Sequence, residues 1–329
     1  MSITPGTLVP VIDLLVLGDV NPDLVLGGDV VPRFGQQEQL LDRADLVLGG
    51  SGAIVAHGAA RLGTRTRLVA CVGDDLLGRH VRDALAAGGV DSAGLVAGAT
   101  TGLTVVLSTG EDRAMLTYPG SIPDLTADAA LDSVDRAADE GARHVHVSSY
   151  FLLPQLARGL GSVLEHARAR GLGTSMDTNF DPAGEWGGIA DLLPLVDLLL
   201  PNATEVSAMA TALGHDAADD PSRAARSLAA RGPTVVVKLG RDGAVEVSPE
   251  GEMLRDPGMP VAPLDTTGAG DTFVAAYLDG RLRGLPSTQC LRRACRAGAL
   301  STAAVGGTAG QPDAVQLDQH EPDEEAAQR

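Results

Sequence analysis

The segment DTTGAGDTF, residues 265–273, places two glycines and a carboxylate where a loop turns into a predicted helix. The glycines at 268 and 270 let the backbone bend, so that successive N–H groups can point at one position. The start of a helix adds a partial positive charge, which favours an anion at that position. The segment therefore predicts an anion hole suited to a transferring phosphoryl group, with Asp271 beside it.

Asp271 has a second interpretation, because an acid in the first turn of a helix is a common cap. A cap contributes about 1 kcal/mol, and it needs neither the glycines nor Asp265, which lies six residues upstream. The pattern is not a dinucleotide fingerprint, since G-x-G-x-x-G would require glycine at Phe273. The sequence also contains no G-x-x-x-x-G-K-[ST] P-loop and no protein-kinase signature, so any phosphate chemistry would need another arrangement.

The composition of the 329 residues suits one large domain with a sizeable core. The net charge of −18 makes a nucleic acid or an anionic membrane a poor partner. The three cysteines form no C-x-x-C pair, and neither a secretory signal nor an 18-residue apolar run is visible. We therefore expect a cytoplasmic protein that binds no nucleic acid and no membrane.

Hydrophobic periodicity predicts alternating strands and helices along most of the chain. The apolar run at 11–18 indicates a buried strand, and residues 51–63 have the apolar spacing of a helix. Repeated strand–helix units indicate an α/β fold with a parallel sheet covered by helices on both faces. Residues 20–50 and 94–121 alternate instead, with a hairpin turn at 109–112, so they are predicted to pair as a small separate sheet.

The end of the chain has a different composition. From Gln311 onward it is polar and acidic, ending in HEPDEEAAQR. Such a segment cannot bury enough apolar surface to fold alone. We therefore predict a single domain over residues 1–310 and a disordered tail over residues 311–329.

The segment at 265–273 resembles the C-terminal signature of the PfkB/ribokinase family of carbohydrate and nucleoside kinases. Three further segments resemble family elements in the same order: GGSGAIVA at 49–56, PNATE at 201–205 and VKLGRDG at 237–243. The resemblance spans roughly residues 12–312. It implies a ribokinase-like three-layer α/β/α core with a central, mostly parallel sheet, and a small β-sheet lid built from the separate sheet.

The resemblance also implies roles near the transferred phosphate. Asp271 would deprotonate the substrate hydroxyl, and the backbone of Gly268, Ala269 and Gly270 would hold the γ-phosphate of ATP. Asp265 matches the position that helps to bind a monovalent cation, usually K⁺.

A second group of implied roles concerns the nucleotide and Mg²⁺. Asn202 would approach the nucleotide phosphates, and Glu205 would orient water on Mg²⁺. Lys238, the only lysine of the chain, lies with Gly240 and Gly243 in the strand–turn that would line the nucleotide site.

The substrate end of the site is implied by two further matches. Asn21 and Asp23 are candidates to hydrogen-bond sugar hydroxyls, since an amide and a carboxylate can each accept from O–H. A polar turn closing the first strand is the alternative interpretation. Gly49, Gly50 and Ser51, which open the N-terminal signature, are also candidates for substrate binding.

Departures from the family pattern bear on the substrate. Ribokinase-like members carry Lys where this chain has Ser51, and Asn where it has Ile54. The strand end at 146–150 also lacks an acidic residue found in ribokinases at about that point. No cationic cluster for a substrate phosphate is recognised near the N-terminal motifs. A small neutral sugar or related polyol is therefore the expected acceptor, with a nucleoside as the alternative and ribose disfavoured.

The sequence leaves two rival functions open. GGSGA at 49–53 nearly matches G-x-S-x-G, so a serine hydrolase using Ser51 is one rival, which needs an Asp and then a His downstream. A catalytically silent binding protein is the other.

Asp177 and Asn179 end a predicted parallel strand, where ligands bind in such sheets, although a turn before Pro182 would explain them equally. Family members often dimerise through the lid, so a homodimer is expected.

Overall fold

Fourteen strands and eleven α-helices are seen in the computed structural model, which describes residues 12–109, 113–216 and 220–319. The strands are β1 (Leu14–Leu17), β2 (Asn21–Gly27), β3 (Arg43–Gly49), β4 (Thr66–Val69), β5 (Cys71–Gly73), β6 (Val96–Gly98), β7 (Leu103–Ser108), β8 (Arg113–Tyr118), β9 (His144–Ser148), β10 (Gly173–Asp177), β11 (Leu198–Leu199), β12 (Thr234–Lys238), β13 (Ala244–Val247) and β14 (Met253–Asp256). The helices are α1 (Ser51–Arg61), α2 (Leu76–Ala87), α3 (Ala127–Asp139), α4 (Pro154–Ala157), α5 (Leu160–Ala169), α6 (Ile189–Leu192), α7 (Ala203–Ala212), α8 (Pro221–Ala229), α9 (Ala269–Leu282), α10 (Ser287–Ser301) and α11 (Ala314–Asp318).

The central sheet has eight strands in the order β14-β13-β12-β11-β10-β9-β1-β4. The six strands from β12 to β4 are parallel, whereas β13 and β14 are antiparallel at one edge. All four residues of β1 are buried, as expected for a strand covered on both faces. The prediction of a mostly parallel sheet is confirmed.

Helices cover both faces of this sheet and form two separate hydrophobic cores. Successive side chains of a strand point to opposite faces. Leu15 and Leu17 accordingly pack in the core that contains residues of α3, α5 and α7. Leu14 and Val16 pack in the core that contains residues of α1, α9 and α10. The chain therefore has the predicted three-layer α/β/α architecture.

A second sheet, the lid, has four strands in the order β3-β2-β7-β8. Strands β7 and β8 form the predicted antiparallel hairpin, while residues 110–112 of its turn lie outside the described ranges. The predicted lid region from residue 94 is too long at its start. β6 instead pairs with β5 in a two-stranded sheet, because its backbone continues the hydrogen bonding of Ala70 and Cys71 beside the core.

The prediction of a disordered tail over residues 311–329 is wrong for residues 311–319. Gln311 is buried, and α11 follows it with Leu317 fully buried against the domain. The acidic composition concealed one apolar position whose side chain packs with residues of α9 and α10. Residues 311–319 therefore belong to the domain, and residues 320–329 lie outside the described part of the chain. Within the described ranges, no helix is both long and apolar enough to cross a membrane.

Candidate active site

Helix α9 begins without a side-chain cap. Its N-cap residue, Gly268, has a φ of +70°, in the left-handed region. A Cβ at this position would lie 2.7 Å from the Cα of Gly307, so both the conformation and the space require glycine. The N–H of Ala269 donates to the carbonyl of Thr266 at 3.3 Å, but no side chain caps the first turn, which is the arrangement of an anion site.

Asp271 lies in the first turn of α9 and is partly exposed in the cleft. Its carboxylate accepts a hydrogen bond from the hydroxyl of Ser51, which itself lies 3.5 Å from the Oδ1 of Asn179. Burial raises the pKa of Asp271 to about 7, and the charge of Asp177 adds to this effect, while the Ser51 hydrogen bond opposes it. A carboxyl group with a pKa near neutrality is suited to accept a proton from a substrate hydroxyl.

Lys238 and Asp177 form a buried ion pair on the floor of the cleft. They end the parallel strands β12 and β10, and their side chains are 13% and 1% exposed. A Cβ on Gly270 would lie 3.6 Å from the Nζ of Lys238, so the ammonium lies directly beside the start of α9. Burial lowers the pKa of Lys238, but the carboxylates of Asp177 and Glu205 outweigh it and keep the group charged.

Asn202 and Glu205 close the start of α7 with a capping box. The Oδ1 of Asn202 accepts from the N–H of Glu205 at 2.9 Å, and the Oε2 of Glu205 accepts from the N–H of Asn202 at 2.8 Å. Residue 202 is also bridged to Lys238 through the backbone, which brings this end of α7 to the cleft. Burial, followed by the charge of Asp177, raises the pKa of Glu205 to about 7.

A cavity of about 470 Å³ adjoins the start of α9. It is lined on one side by Lys238, Gly240 and Gly243, three of the residues predicted to line a nucleotide site. Its remaining lining comes from the loop at 258–263 and from α9 and α10, notably Met259, Val261, Phe273, Cys295 and Ala299. The sequence pattern missed this second group, because no motif marks apolar residues that only the fold brings together.

The loop before the anion site is tied down by Asp265. Its carboxylate accepts from the N–H of Thr267 at 2.9 Å, from the hydroxyl of Thr267 at 2.7 Å and from the N–H of Gly306 at 2.8 Å. Burial alone would raise the pKa of Asp265, but these hydrogen bonds and the charge of Arg113 outweigh burial and lower the pKa. The carboxylate is therefore ionised. Arg113, on the lid, donates to the Oγ1 of Thr267 at 2.8 Å. No sequence signal distinguished this arginine.

The lid strand β2 carries Asn21 and Asp23 at the predicted substrate end. The Nδ2 of Asn21 donates to the Oδ1 of Asp23 at 2.8 Å and to the Oγ1 of Thr104 at 3.1 Å. Burial raises the pKa of Asp23 to about 7, against the Asn21 hydrogen bond. Gly49 faces this carboxylate, since a Cβ there would lie 2.1 Å from the Oδ1 of Asp23. A side chain at 49 would therefore displace Asp23.

Ser51 is buried at the start of α1, after Gly50, whose φ is +86°. The N–H groups of Ser51 and Gly52 donate to the carboxylate of Asp19 at 3.2 and 2.9 Å, a partner that sequence reasoning missed. The serine hydroxyl donates to Asp271, and across residues 12–109, 113–216 and 220–319 no histidine hydrogen-bonds to it. The hydrolase hypothesis required a histidine at Ser51, so it fails on this geometry.

The whole-chain comparison agrees with this geometry. The model of the pfkB family carbohydrate kinases matches residues 11–314. The chain belongs to the pfkB family. It is therefore an ATP-dependent carbohydrate kinase, as the ordered motifs predicted, and its α/β/α core with a small lid is the ribokinase-like fold.

Individual relatives of this kinase are moderately similar. The ribokinase of Haemophilus influenzae is 29% identical over 308 residues, which cover 91% of this chain and 95% of the relative. The 5-dehydro-2-deoxygluconokinase of Bacillus anthracis is 27% identical over 256 residues, covering 74% and 76%. A solved structure of Arabidopsis thaliana ribokinase complexed with ribose and ATP superimposes with a TM-score of 0.78 at 24% identity, covering 94% of this chain and 98% of that one.

Proposed function

We propose that this kinase transfers the γ-phosphate of ATP to a hydroxyl of a small neutral sugar or related polyol, with Asp271 as the base. One observation carries the proposal. The carboxylate of Asp271 lies at the uncapped start of α9, beside a cavity of about 470 Å³ on one side and Ser51 on the other. A base, an anion site and a nucleotide-sized cavity thus meet at one point.

In the proposed reaction, the substrate hydroxyl gives its proton to Asp271 as its oxygen forms a bond to the γ-phosphorus. The bond from that phosphorus to the bridging oxygen of ADP breaks on the opposite side. The backbone N–H groups at Gly268, Ala269 and Gly270 hold the charge of the phosphoryl group, and the ammonium of Lys238 lies beside them. Catalysis here is positioning and charge stabilisation rather than covalent chemistry by the protein.

Magnesium is proposed to arrive with the ATP phosphates. In the described part of the chain, no group of three His, Cys, Asp or Glu side chains could form a metal cage. Mg²⁺ in kinases is commonly held by one or two carboxylates plus substrate phosphates, and burial, followed by the charge of Asp177, raises the pKa of Glu205. We propose that Glu205 orients water on this ion, which neutralises phosphate charge, and that Asn202 approaches the phosphates.

Asp265 is the proposed contact for a monovalent cation, most simply K⁺. Its carboxylate is ionised, and the carbonyl oxygen of Thr302 lies close enough to accept from the backbone of Asp265 at 3.2 Å. An ionised carboxylate offers such a cation an oxygen ligand. The cation would then hold the loop that leads into the anion site.

The acceptor is proposed to bind at Asn21, Asp23 and the turn at Gly49–Ser51. The amide and carboxyl groups are buried and hydrogen-bonded to each other, which suits the hydroxyl groups of a sugar or polyol. Turnover with a panel of sugars, polyols and nucleosides identifies the acceptor class. A nucleoside as the best acceptor would favour the alternative that the sequence left open.

Two copies of the kinase are proposed to pair through their lids in the cytoplasm. All six residues of β8 are exposed, including Met115, Leu116 and Tyr118, and such apolar exposure on an edge strand favours an interface. The three cysteines are free and buried, in keeping with a reducing compartment. Light scattering on the purified protein measures the mass of the assembly.

The direct test of the base is Asp271→Asn, which keeps the shape of the side chain and removes its basicity. We expect kcat to fall by about 10²–10⁴-fold, with the affinity for ATP nearly unchanged. Asp128→Asn is the matched control, because Asp128 is an exposed acid in the first turn of α3. The control should keep full turnover.

Isothermal titration with a non-hydrolysable ATP analogue separates binding from turnover in this pair of variants. Near-normal kcat in Asp271→Asn would remove the residue from the base role. A parallel loss of ATP binding would instead make it a structural residue of the nucleotide site.

A further inference from the structure

One side chain of the lid reaches the loop that leads into the anion site. Arg113, the first residue of β8, donates from Nη1 to the Oγ1 of Thr267 at 2.8 Å, across a separation of 154 residues in sequence. The same nitrogen lies 3.8 Å from the Oδ1 of Asp265. We propose that Arg113 is a positioning residue that docks the lid on this loop and supplies a fixed positive charge to Asp265. The proposal rests on the proposed phosphoryl transfer at Asp271.

The hydrogen bonds between these residues run in one direction. The hydroxyl of Thr267 has a single proton and donates it to Asp265 at 2.7 Å. Its lone pairs are therefore the acceptor for the guanidinium of Arg113, which can only donate. The next residue, Gly268, is the uncapped start of α9. Arg113 thus fixes, from the lid side, the residue immediately before the anion site.

The charge of Arg113 acts at both ends of the site. It contributes to the lowered pKa of Asp265, and it opposes the burial that raises the pKa of Asp23. Asp23 belongs to β2, the lid strand that carries the proposed substrate contacts. The charge of one guanidinium therefore acts on Asp23 at the substrate end and on Asp265 in the loop before α9. A lid displaced from the core would lose its bond to Thr267, so this contact belongs to the closed arrangement.

The lid offers a matched control for this arginine. Arg43, on β3, pairs with Asp45 of the same strand at 3.0 Å, and its side chain is 41% exposed compared with 36% for Arg113. Arg43→Gln removes the same charge from the same sheet without changing a contact to the loop that contains Asp265 and Thr267. We expect Arg113→Gln to lower kcat about tenfold or more while KM for ATP changes less than about threefold. Arg43→Gln should change neither.

Two further variants separate positioning from a general effect on folding. Arg113→Lys keeps the charge but not the planar donor set, so it should recover part of the lost kcat. Thr267→Val removes the nearer acceptor of Arg113, leaves the Oγ1 of Thr266 at 3.4 Å, and also removes a donor to Asp265. In the double variant with Arg113→Gln the combined loss should be smaller than the product of the two single losses, because the two variants share one broken interaction. Multiplying losses, or a kcat for Arg113→Gln equal to that for Arg43→Gln, would overturn the proposal.

A readout independent of turnover concerns the charge supplied to Asp265. The other donors that the described residues give to Asp265, from Thr267 and Gly306, are neutral. An external cation should therefore compensate for the loss of Arg113. Exchanging choline chloride for KCl at constant ionic strength should raise the Tm of Arg113→Gln more than that of the wild type or of Arg43→Gln. Equal shifts in all three proteins would contradict the charge role. An active Asp271→Asn variant would contradict only the assignment of the base. The role of Arg113 is tested separately, because its variants are compared with the turnover of the wild type.

Discussion

Helices α7 and α9 both begin at the cleft, and both carry an acid at the third helical position. In α7 this acid is Glu205, whose carboxylate turns back to the N–H of Asn202 and completes a capping box. In α9 this acid is Asp271. The N-cap residue of α9, Gly268, has no side chain, and the carboxylate of Asp271 accepts a hydrogen bond from Ser51 instead. The start of α7 satisfies its donors with its own side chains. At the start of α9 the N–H of Ala269 donates to the carbonyl of Thr266 at 3.3 Å, and no side chain caps the first turn.

The two acids nevertheless share an electrostatic state. An acid at a helix start usually has a lowered pKa, because the partial positive charge there favours the ionised form. Burial reverses this tendency at both positions and raises each pKa to about 7, with the charge of Asp177 contributing in each case. The comparison shows that position in a helix does not decide the role of a carboxyl group. The presence or absence of a cap decides which backbone donors remain available.

The most disruptive way to break this comparison is to fill the uncapped start of α9. Gly268→Ala places a Cβ 2.7 Å from the backbone of Gly307 at a φ of +70°. The first turn must then shift, and loss of a single anion-hole donor costs about 10²–10³-fold in kcat. We expect a loss of at least that size in steady-state turnover.

Gly184→Ala controls for backbone strain in that experiment. Gly184 has the same φ of +70°, but a Cβ added there would meet no atom within 4 Å. It should lose about 1 kcal/mol of stability and keep its activity. Equal turnover in the two variants would show that the start of α9 is not the phosphate site.

The pH dependence sharpens the comparison between the two acids. Asp271 must be ionised to accept a proton, so kcat/KM should fall about tenfold per pH unit below a pKa of about 7. Because folding raises this pKa, protonation stabilises the folded state. Stability should therefore decline as the pH rises from about 4 toward 7, opposite to activity.

Glu205→Gln identifies which acid limits the pH profile. Glu205 also has a pKa of about 7, but its proposed role is to orient water rather than to take a proton. The variant should have a lower kcat and still show the acidic limb near pH 7 in its kcat/KM profile. Disappearance of that limb would transfer the titration to Glu205.

The smallest expected effect comes from removing the cap of α7. Asn202→Ala should cost about 1 kcal/mol of unfolding free energy, measured by urea denaturation. Asp220→Ala removes a comparable cap from α8, where Asp220 accepts from Ser222 and Arg223. Only Asn202→Ala should also raise KM for ATP, by several-fold. An unchanged KM would restrict Asn202 to a structural role.

Sequence reasoning found those parts of the site that are contiguous in the chain. The segment at 265–273 contains the glycines, Asp265 and Asp271 within nine residues, and local backbone chemistry predicts an anion site beside a carboxylate. The roles proposed for the two acids came from the family resemblance. The order of strands and helices followed from hydrophobic periodicity for the same reason. Both depend on interactions between near neighbours.

The parts that were missed depend on long-range contacts. Ser51 and Asp271 are 220 residues apart, and Arg113 and Thr267 are 154 apart, so no spacing rule connects them. Asp177 was recognised as the end of a strand, but its partnership with Lys238 requires the order of strands β10 and β12 in the sheet. The polar composition after residue 310 concealed Gln311, whose burial depends on α1 and α9.

Gln311 also determines when the site can exist during synthesis. Its amide donates to the carbonyl of Ile54 at 2.9 Å and to the hydroxyl of Thr272 at 3.0 Å, which ties α1 to α9. A ribosome adds about 5–20 residues per second. The helix that carries Asp271 is therefore synthesised about ten seconds or more after α1, and Gln311 is synthesised later still. A nascent chain therefore holds half of a kinase site, and phosphoryl transfer begins only when the last helices have been translated.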